Sequence, residues 1–121
     1  MARILIVDDS PTDTHVLKTL LERNQHEGLT AGTGEEAIAK VKEIKPDLIL
    51  MDVVLPGISG FQATRQISKN PDTANIPIII VTTKDQETDR VWGLRQGAKD
   101  YVTKPVNETE LLDKIKAALG S

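Results

Sequence analysis

Leu48-Ile49-Leu50-Met51-Asp52 is a short, unbroken apolar run that ends in an acid. Apolar at every position, it reads as a strand buried on both faces of a parallel sheet, since a half-exposed strand would alternate. A second run of the same kind, Ile4-Leu5-Ile6-Val7, ends in two acids, Asp8 and Asp9. In an open parallel sheet, ligands sit outside the carboxyl ends of the strands where the strand order reverses, so both runs aim their acids at one shared place. At roughly 4 Å and an effective dielectric near 20, each like-charged pair there repels by about 4 kcal/mol, a penalty a divalent cation reverses.

Outward from these runs, continuous apolar stretches alternate with segments of helical spacing, the signature of βαβ units. The first strand, residues 3–7, leads into Ser10-Pro11, an N-cap followed by proline at the first helical position. Val16, Leu17, Leu20 and Leu21 then supply an inward helical face, and Gly28 is predicted to stop that helix. A short strand over 29–31 precedes Thr33-Gly34-Glu35-Glu36, a capping-box pattern opening a helix with Ala37, Ile38, Val41 and Ile44 inward, closed by Pro46. Beyond Asp52, the turn-rich loop Leu55-Pro56-Gly57-Ile58-Ser59-Gly60 breaks the chain before a helix carrying Phe61, Ala63, Thr64 and Ile67. Ile76-Pro77-Ile78-Ile79-Ile80-Val81 is the clearest central strand, and it ends in Thr82-Thr83. A helix over 86–96, a strand over 100–102 ending at Lys104-Pro105, and a last helix capped by Asn107 and Glu110 complete the chain. Five strands and five helices in strict alternation, joined by right-handed crossovers, predict a doubly wound α/β sandwich.

At 121 residues the chain is predicted to be one domain, 1–121, with no output domain attached. Its three aromatics, Phe61, Trp92 and Tyr101, leave a core of Ile, Leu, Val and Ala and argue against a large aromatic ligand pocket. Lys and Arg are scattered and the net charge is −3, which disfavours nucleic acid as a partner. No apolar stretch is long enough to span a bilayer, no leader precedes the strand starting at Ile4, and there is no Cys. These features predict a cytoplasmic protein without membrane insertion whose partners are proteins or small ions.

Placed on this topology, Asp8 and Asp9, Asp52, Thr82 and Lys104 each follow a different strand at the same sheet edge. Any one of them alone would read as a turn or cap residue; the set has a common chemistry. A carboxylate can attack phosphorus and form an aspartyl phosphate, provided a metal and a cationic side chain bring the two anions together. Mg²⁺ suits this task as a hard, oxygen-seeking cation, with Mn²⁺ as an alternative. Lys104 would supply a point charge and Thr82 a hydroxyl to the phosphoryl oxygens.

At these residues the chain resembles the receiver domain of two-component response regulators. The matching pieces are Ile4-Leu5-Ile6-Val7-Asp8-Asp9, Met51-Asp52 with Leu55-Pro56 and Gly60, Val81-Thr82, Gly97-Ala98 with Tyr101, and Lys104-Pro105, and they run over essentially the whole chain. The resemblance implies a flavodoxin-like five-stranded sheet of order 2-1-3-4-5 between two helix layers. It implies that Asp52 accepts a phosphoryl group from a histidine kinase, and that Asp9, Asp52 and the Val54 backbone carbonyl hold Mg²⁺ with Asp8 acting largely through water. It further implies that Thr82 and Lys104 sense the phosphoryl group, that Tyr101 is a switch aromatic turning from exposed to buried, and that Lys104-Pro105 is cis. Gly60-Phe61-Gln62-Ala63-Thr64-Arg65-Gln66 and Thr82–Arg90 leading to Trp92-Gly93-Leu94-Arg95-Gln96-Gly97 are similar to single-domain, chemotaxis-type regulators of type IV pilus twitching motility, the PilH-like group. That narrower likeness implies a bacterial source and a chemotaxis-type histidine kinase as phosphodonor.

Three positions depart from the family pattern. Thr83 replaces a small residue, so that its side chain would narrow access to Asp52 or add a hydroxyl contact. Val54 and Lys84 hold the two positions that in the family tune attack of water on the phosphoaspartate; an apolar Val54 cannot position water and Lys84 can pair with the phosphoryl group, which predicts slow hydrolysis. Output is expected through a downstream protein on the surface of the fourth helix, fifth strand and fifth helix, with Trp92 and Tyr101 as its candidate contact residues. Trp92, about one position off the inward Val91 and Leu94 face of the fourth helix, is either an exposed interface residue or packed on a neighbouring helix. His15 and His26 lack partners at ligand spacing and read as surface residues.

The chain is expected to be a phosphoacceptor, not an enzyme. Two other classes share parts of the pattern. A haloacid-dehalogenase-like phosphatase also uses a strand-end Asp with Mg²⁺, but its two acids are separated by one residue, whereas Asp8 and Asp9 are adjacent. A flavin-binding electron carrier would need a phosphate loop after the first strand; Thr30-Ala31-Gly32-Thr33-Gly34 follows the second. Within the receiver reading, a phosphate sink for a shared kinase is the alternative to an effector.

Overall fold

The computed structural model describes residues 1–120; Ser121 lies outside the described residues. Strands β1 (Arg3–Val7), β2 (Glu27–Ala31), β3 (Leu48–Met51), β4 (Ile78–Thr82) and β5 (Asp100–Thr103) alternate with helices α1 (Pro11–Arg23), α2 (Gly34–Ile44), α3 (Gly60–Lys69), α4 (Glu87–Arg95) and α5 (Glu108–Ala118). The strands form one parallel sheet in the order β2-β1-β3-β4-β5, as expected. Strand order reverses between β1 and β3, so the carboxyl ends of these two neighbours flank the crevice where such sheets bind ligands.

The apolar runs are buried because both sheet faces are covered. Ile4, Ile6, Leu48, Leu50, Ile79, Val81 and Val102 point to one face and pack under α1 (Leu17, Leu20, Leu21) and α5 (Leu111, Ile115). Alternate residues Leu5, Val7, Ile49, Met51 and Ile78 point to the other face, against α2 (Ala37, Val41) and α3 (Ala63, Ile67). A smaller cluster of Val53, Ile80, Ala98 and Tyr101 lies under Phe61 and Leu94, the latter on α4. Each fully buried Leu or Ile contributes about 1.5–3 kcal/mol relative to exposure, so the central strands dominate stability.

Local signals explain most element ends. Ser10, Thr33, Ser59 and Asn107 cap α1, α2, α3 and α5, each side chain accepting a backbone N–H three residues on. At Thr33 the capping is one-sided: the Glu36 carboxylate turns to the Gly32 N–H at 2.8 Å. Ser59 and Gln62 make the reciprocal box.

The structure corrects three sequence expectations. Helix α1 stops at Arg23, not near Gly28, because Asn24 caps it by donating to the Leu20 carbonyl at 2.7 Å and Gln25 turns the chain at φ 69°. Gly28 lies inside β2 instead, where an added Cβ would sit 3.0 Å from Lys18 Cγ; it marks a close approach of α1. Val16, expected inward, is 53% exposed at the rim of a groove between α1 and the loop after β5. On α4, the residue turned fully inward is Gly93, and Val91 and Trp92 are left exposed.

Candidate functional site

Backbone pairing carries the sheet one residue past the strands and fixes the acids. The Asp8 N–H donates to the Ala31 carbonyl at 3.0 Å, and the Asp52 N–H donates to the Val7 carbonyl at 2.9 Å. Asp8 and Asp52 are buried while Asp9 is exposed at the rim. One carboxylate oxygen from each of Asp8, Asp9 and Asp52 falls within 4.8 Å of the others, a grouping able to hold a metal ion. Asp8 Oδ1 accepts the Ser10 N–H at 2.9 Å, and Asp52 Oδ1 accepts the Val53 N–H at 2.7 Å. Val54 follows in the loop after β3, its N–H 3.4 Å from the same Asp52 oxygen and its side chain exposed. Gly60 lets α3 start against this turn: an added Cβ there would come within 1.8 Å of the Asp52 carbonyl oxygen.

Lys104 closes the site from the β5 side. Its N–H donates to the Thr82 carbonyl at 2.8 Å, and the Lys104-Pro105 peptide is cis, as expected. The ammonium reaches Asp8 Oδ2 at 2.8 Å, Asp13 Oδ2 at 2.9 Å and Asp52 Oδ2 at 3.1 Å. Burial alone would push the Lys104 ammonium down; hydrogen bonds to the three carboxylates and the charge of Asp52 outweigh it and hold the group above its ordinary value. Removal of this cation would leave several carboxylates facing one another in a partly dry site.

Asp13 is the member that sequence reading missed. It stands in the first turn of α1, where its N–H donates to Ser10 Oγ at 3.2 Å and its carboxylate faces the sheet edge. The available signal was its position three residues after a capping Ser that itself follows two strand-end acids.

Thr82 is completely buried, and its hydroxyl accepts the Lys84 N–H at 3.4 Å. Tyr101, expected outward in the absence of phosphate, is turned inward: it is 7% exposed and its hydroxyl donates to the Lys84 carbonyl at 2.8 Å. Gly93 makes this orientation available, since even a Cβ on that residue would come 3.3 Å from the Tyr101 ring and 2.6 Å from Ile80 Cδ1. Burial, with the nearby charges of Asp89, Asp52 and Asp85, pushes the Tyr101 hydroxyl up to about 12. Trp92 lies away from the acids on α4 and is 51% exposed, so of the two residues named for a partner surface only Trp92 faces solvent. Thr83 and Lys84 are exposed in the loop after β4. No helix among the described residues is long and apolar enough to cross a membrane.

The sequence has relatives of known family. Residues 4–116 match the response regulator receiver domain. Protein PilH of Pseudomonas aeruginosa is 59% identical over 120 residues, covering 99% of each chain. Other relatives, 37% to 41% identical, are longer proteins, and the chain spans from about a quarter to about half of their length. Among solved structures, a CheY-like response regulator receiver domain protein of Methanospirillum hungatei superposes with a TM-score of 0.90 at 34% identity, over 98% of this chain and 94% of that one. The receiver domain of a sensor histidine kinase of P. aeruginosa, which has a magnesium ion coordinated in its active site cleft, does so with a TM-score of 0.91 at 31% identity, over 99% and 98%.

Proposed function

The chain belongs to the response regulator receiver domain family, and from that premise we propose that Asp52 is the phosphoacceptor of a response regulator serving type IV pilus twitching motility or a similar chemotaxis-like pathway. The donor is the phosphohistidine of a chemotaxis-type histidine kinase. An Asp52 carboxylate oxygen attacks phosphorus, the O–P bond of an acyl phosphate forms, the N–P bond breaks, and the imidazole leaves with the bonding pair and takes up a proton. The chain is a stoichiometric acceptor and not a turnover enzyme.

The observation that carries this reading is the sharing of one ammonium, Lys104, by Asp8 and Asp52 beside the exposed acid Asp9. The donor set is all carboxylate oxygen, which fits Mg²⁺; Asp8, Asp9 and Asp52 would hold the ion, together with the Val54 carbonyl. When bound, the ion neutralises charge between the acceptor and the incoming phosphoryl oxygens. Lys104 would neutralise a phosphoryl oxygen, and Thr82 would offer its hydroxyl to another. Catalysis is positioning and electrostatics, with backbone N–H groups keeping Asp52 in place.

The output surface in this reading is that of α4, β5 and α5, with Trp92 as its exposed aromatic anchor. Incubation with a phosphorylated chemotaxis-type histidine kinase and Mg²⁺ tests the proposal. Wild-type protein should take the label and Asp52→Asn should not; equal labelling of both would overturn it, and chelation of Mg²⁺ should abolish transfer.

A further inference from the structure

Lys104 has three N–H donors, and all three are committed to carboxylates, on Asp8, Asp13 and Asp52. Its side chain is only 11% exposed, so a phosphoryl oxygen arriving at Asp52 gains a bond from Lys104 only if an existing partner gives one up. The three partners differ in what release would cost. The Asp8 side chain is 2% exposed, belongs to the acid cluster and has its second oxygen on the Ser10 N–H. Asp52 is the acceptor itself. The Asp13 side chain is 44% exposed and lies outside the acid cluster, so its carboxylate can turn into water at little cost while its backbone stays fixed by the Ser10 cap.

We propose that Asp13 is a positioning residue that holds Lys104 in the unphosphorylated protein and competes with the phosphoryl group for it. The inference rests on the reading of Asp52 as phosphoacceptor and adds a brake to it. Asp13 acts through Lys104, by occupying one of its three donors. Lys104 exchanges Asp13 for a phosphoryl oxygen as the phosphoryl group is transferred.

A double-mutant cycle on the rate of phosphorylation by acetyl phosphate and Mg²⁺ tests this. Asp13→Asn keeps the shape and removes the charge, and should accept the phosphoryl group about three- to fivefold faster, as expected for a partly exposed ion pair. Asp13→Glu, which retains the charge on a longer arm, should stay within about twofold of wild type. In a Lys104→Met background, Asp13→Asn should bring no acceleration. An acid in the first turn of a helix also favours the helix dipole, and if that were its only role Asp13→Asn would lower the melting temperature and leave the rate alone. An unchanged rate, or equal acceleration in both Lys104 backgrounds, would overturn the inference while leaving the acceptor role of Asp52 intact. A wild-type protein that accepts no phosphoryl group would overturn the acceptor reading and this inference with it.

Discussion

At the scale of single residues, the site is a charge balance centred on Lys104. Truncation to Lys104→Ala would leave Asp8 and Asp52 facing each other in a site where their side chains are 2% and 10% exposed. We expect a loss of about 2–3 kcal/mol in urea unfolding without metal, since breaking a buried pair strands its charge, and recovery of most of it on adding Mg²⁺. The same variant should still accept a phosphoryl group but fail to change the fluorescence of Trp92, which reports on α4. Tyr101 gives a second test through pH. Its folded value near 12 lies above the ordinary 10, so from pH 10 to 12 the unfolded chain loses the phenolic proton while the folded one keeps it. Stability must fall over that window, and Tyr101→Phe should flatten this part of the decline in parallel urea titrations. On the proposed reading an apolar, exposed Val54 cannot position water and Lys84 pairs with the phosphoryl group, so decay followed after removal of the donor should be slow, and a half-life of seconds would contradict this.

Elements matter through where they end. Strands β1 and β3 deliver Asp8 and Asp52 because each acid's N–H extends the parallel ladder by one bond, and α3 can start beside Asp52 only because Gly60 has no side chain. Gly60→Ala would drive a methyl into the Asp52 carbonyl; a loss near 3 kcal/mol in denaturant unfolding is expected, at the upper end of overpacking costs. Trp92→Ala on the exposed side of α4 should change stability by less than about 0.5 kcal/mol, so a loss of partner binding in that variant reports on the surface and not on the fold. The elements also mark what the sequence could and could not disclose. The strand runs, the capping residues Ser10, Thr33 and Asn107 and the strand-end acids were legible because each rests on a local pattern, whereas Ser59 read only as part of a turn-rich loop. The stop of α1 was not, because Gly28 resembles a helix terminator while Asn24 and Gln25 make the turn. The inward face of α4 was misread because its contact is made by a glycine, which carries no hydrophobic signal.

At the scale of the whole molecule, two helix layers bury the sheet on both faces and leave its carboxyl edge as the place where charge collects. The acids of β1 and β3 and the lysine after β5 come from distant parts of the chain, yet their convergence was readable because the strand-end rule converts topology into proximity. Asp13 escaped that rule by arriving from a helix. The orientation of Tyr101 escaped it as well, since the ring's place is decided by the space at Gly93 and the Lys84 carbonyl, neither of which sequence spacing encodes. The central claim concerns a single bond, the acyl phosphate on Asp52, and the direct test is to find it. Protein treated with acetyl phosphate and Mg²⁺, reduced with borohydride to trap the acyl phosphate, and mapped by peptide mass spectrometry should carry the modification at Asp52 alone. Modification at Asp8 or Asp9 with Asp52 untouched, or none at any carboxylate, would contradict the account.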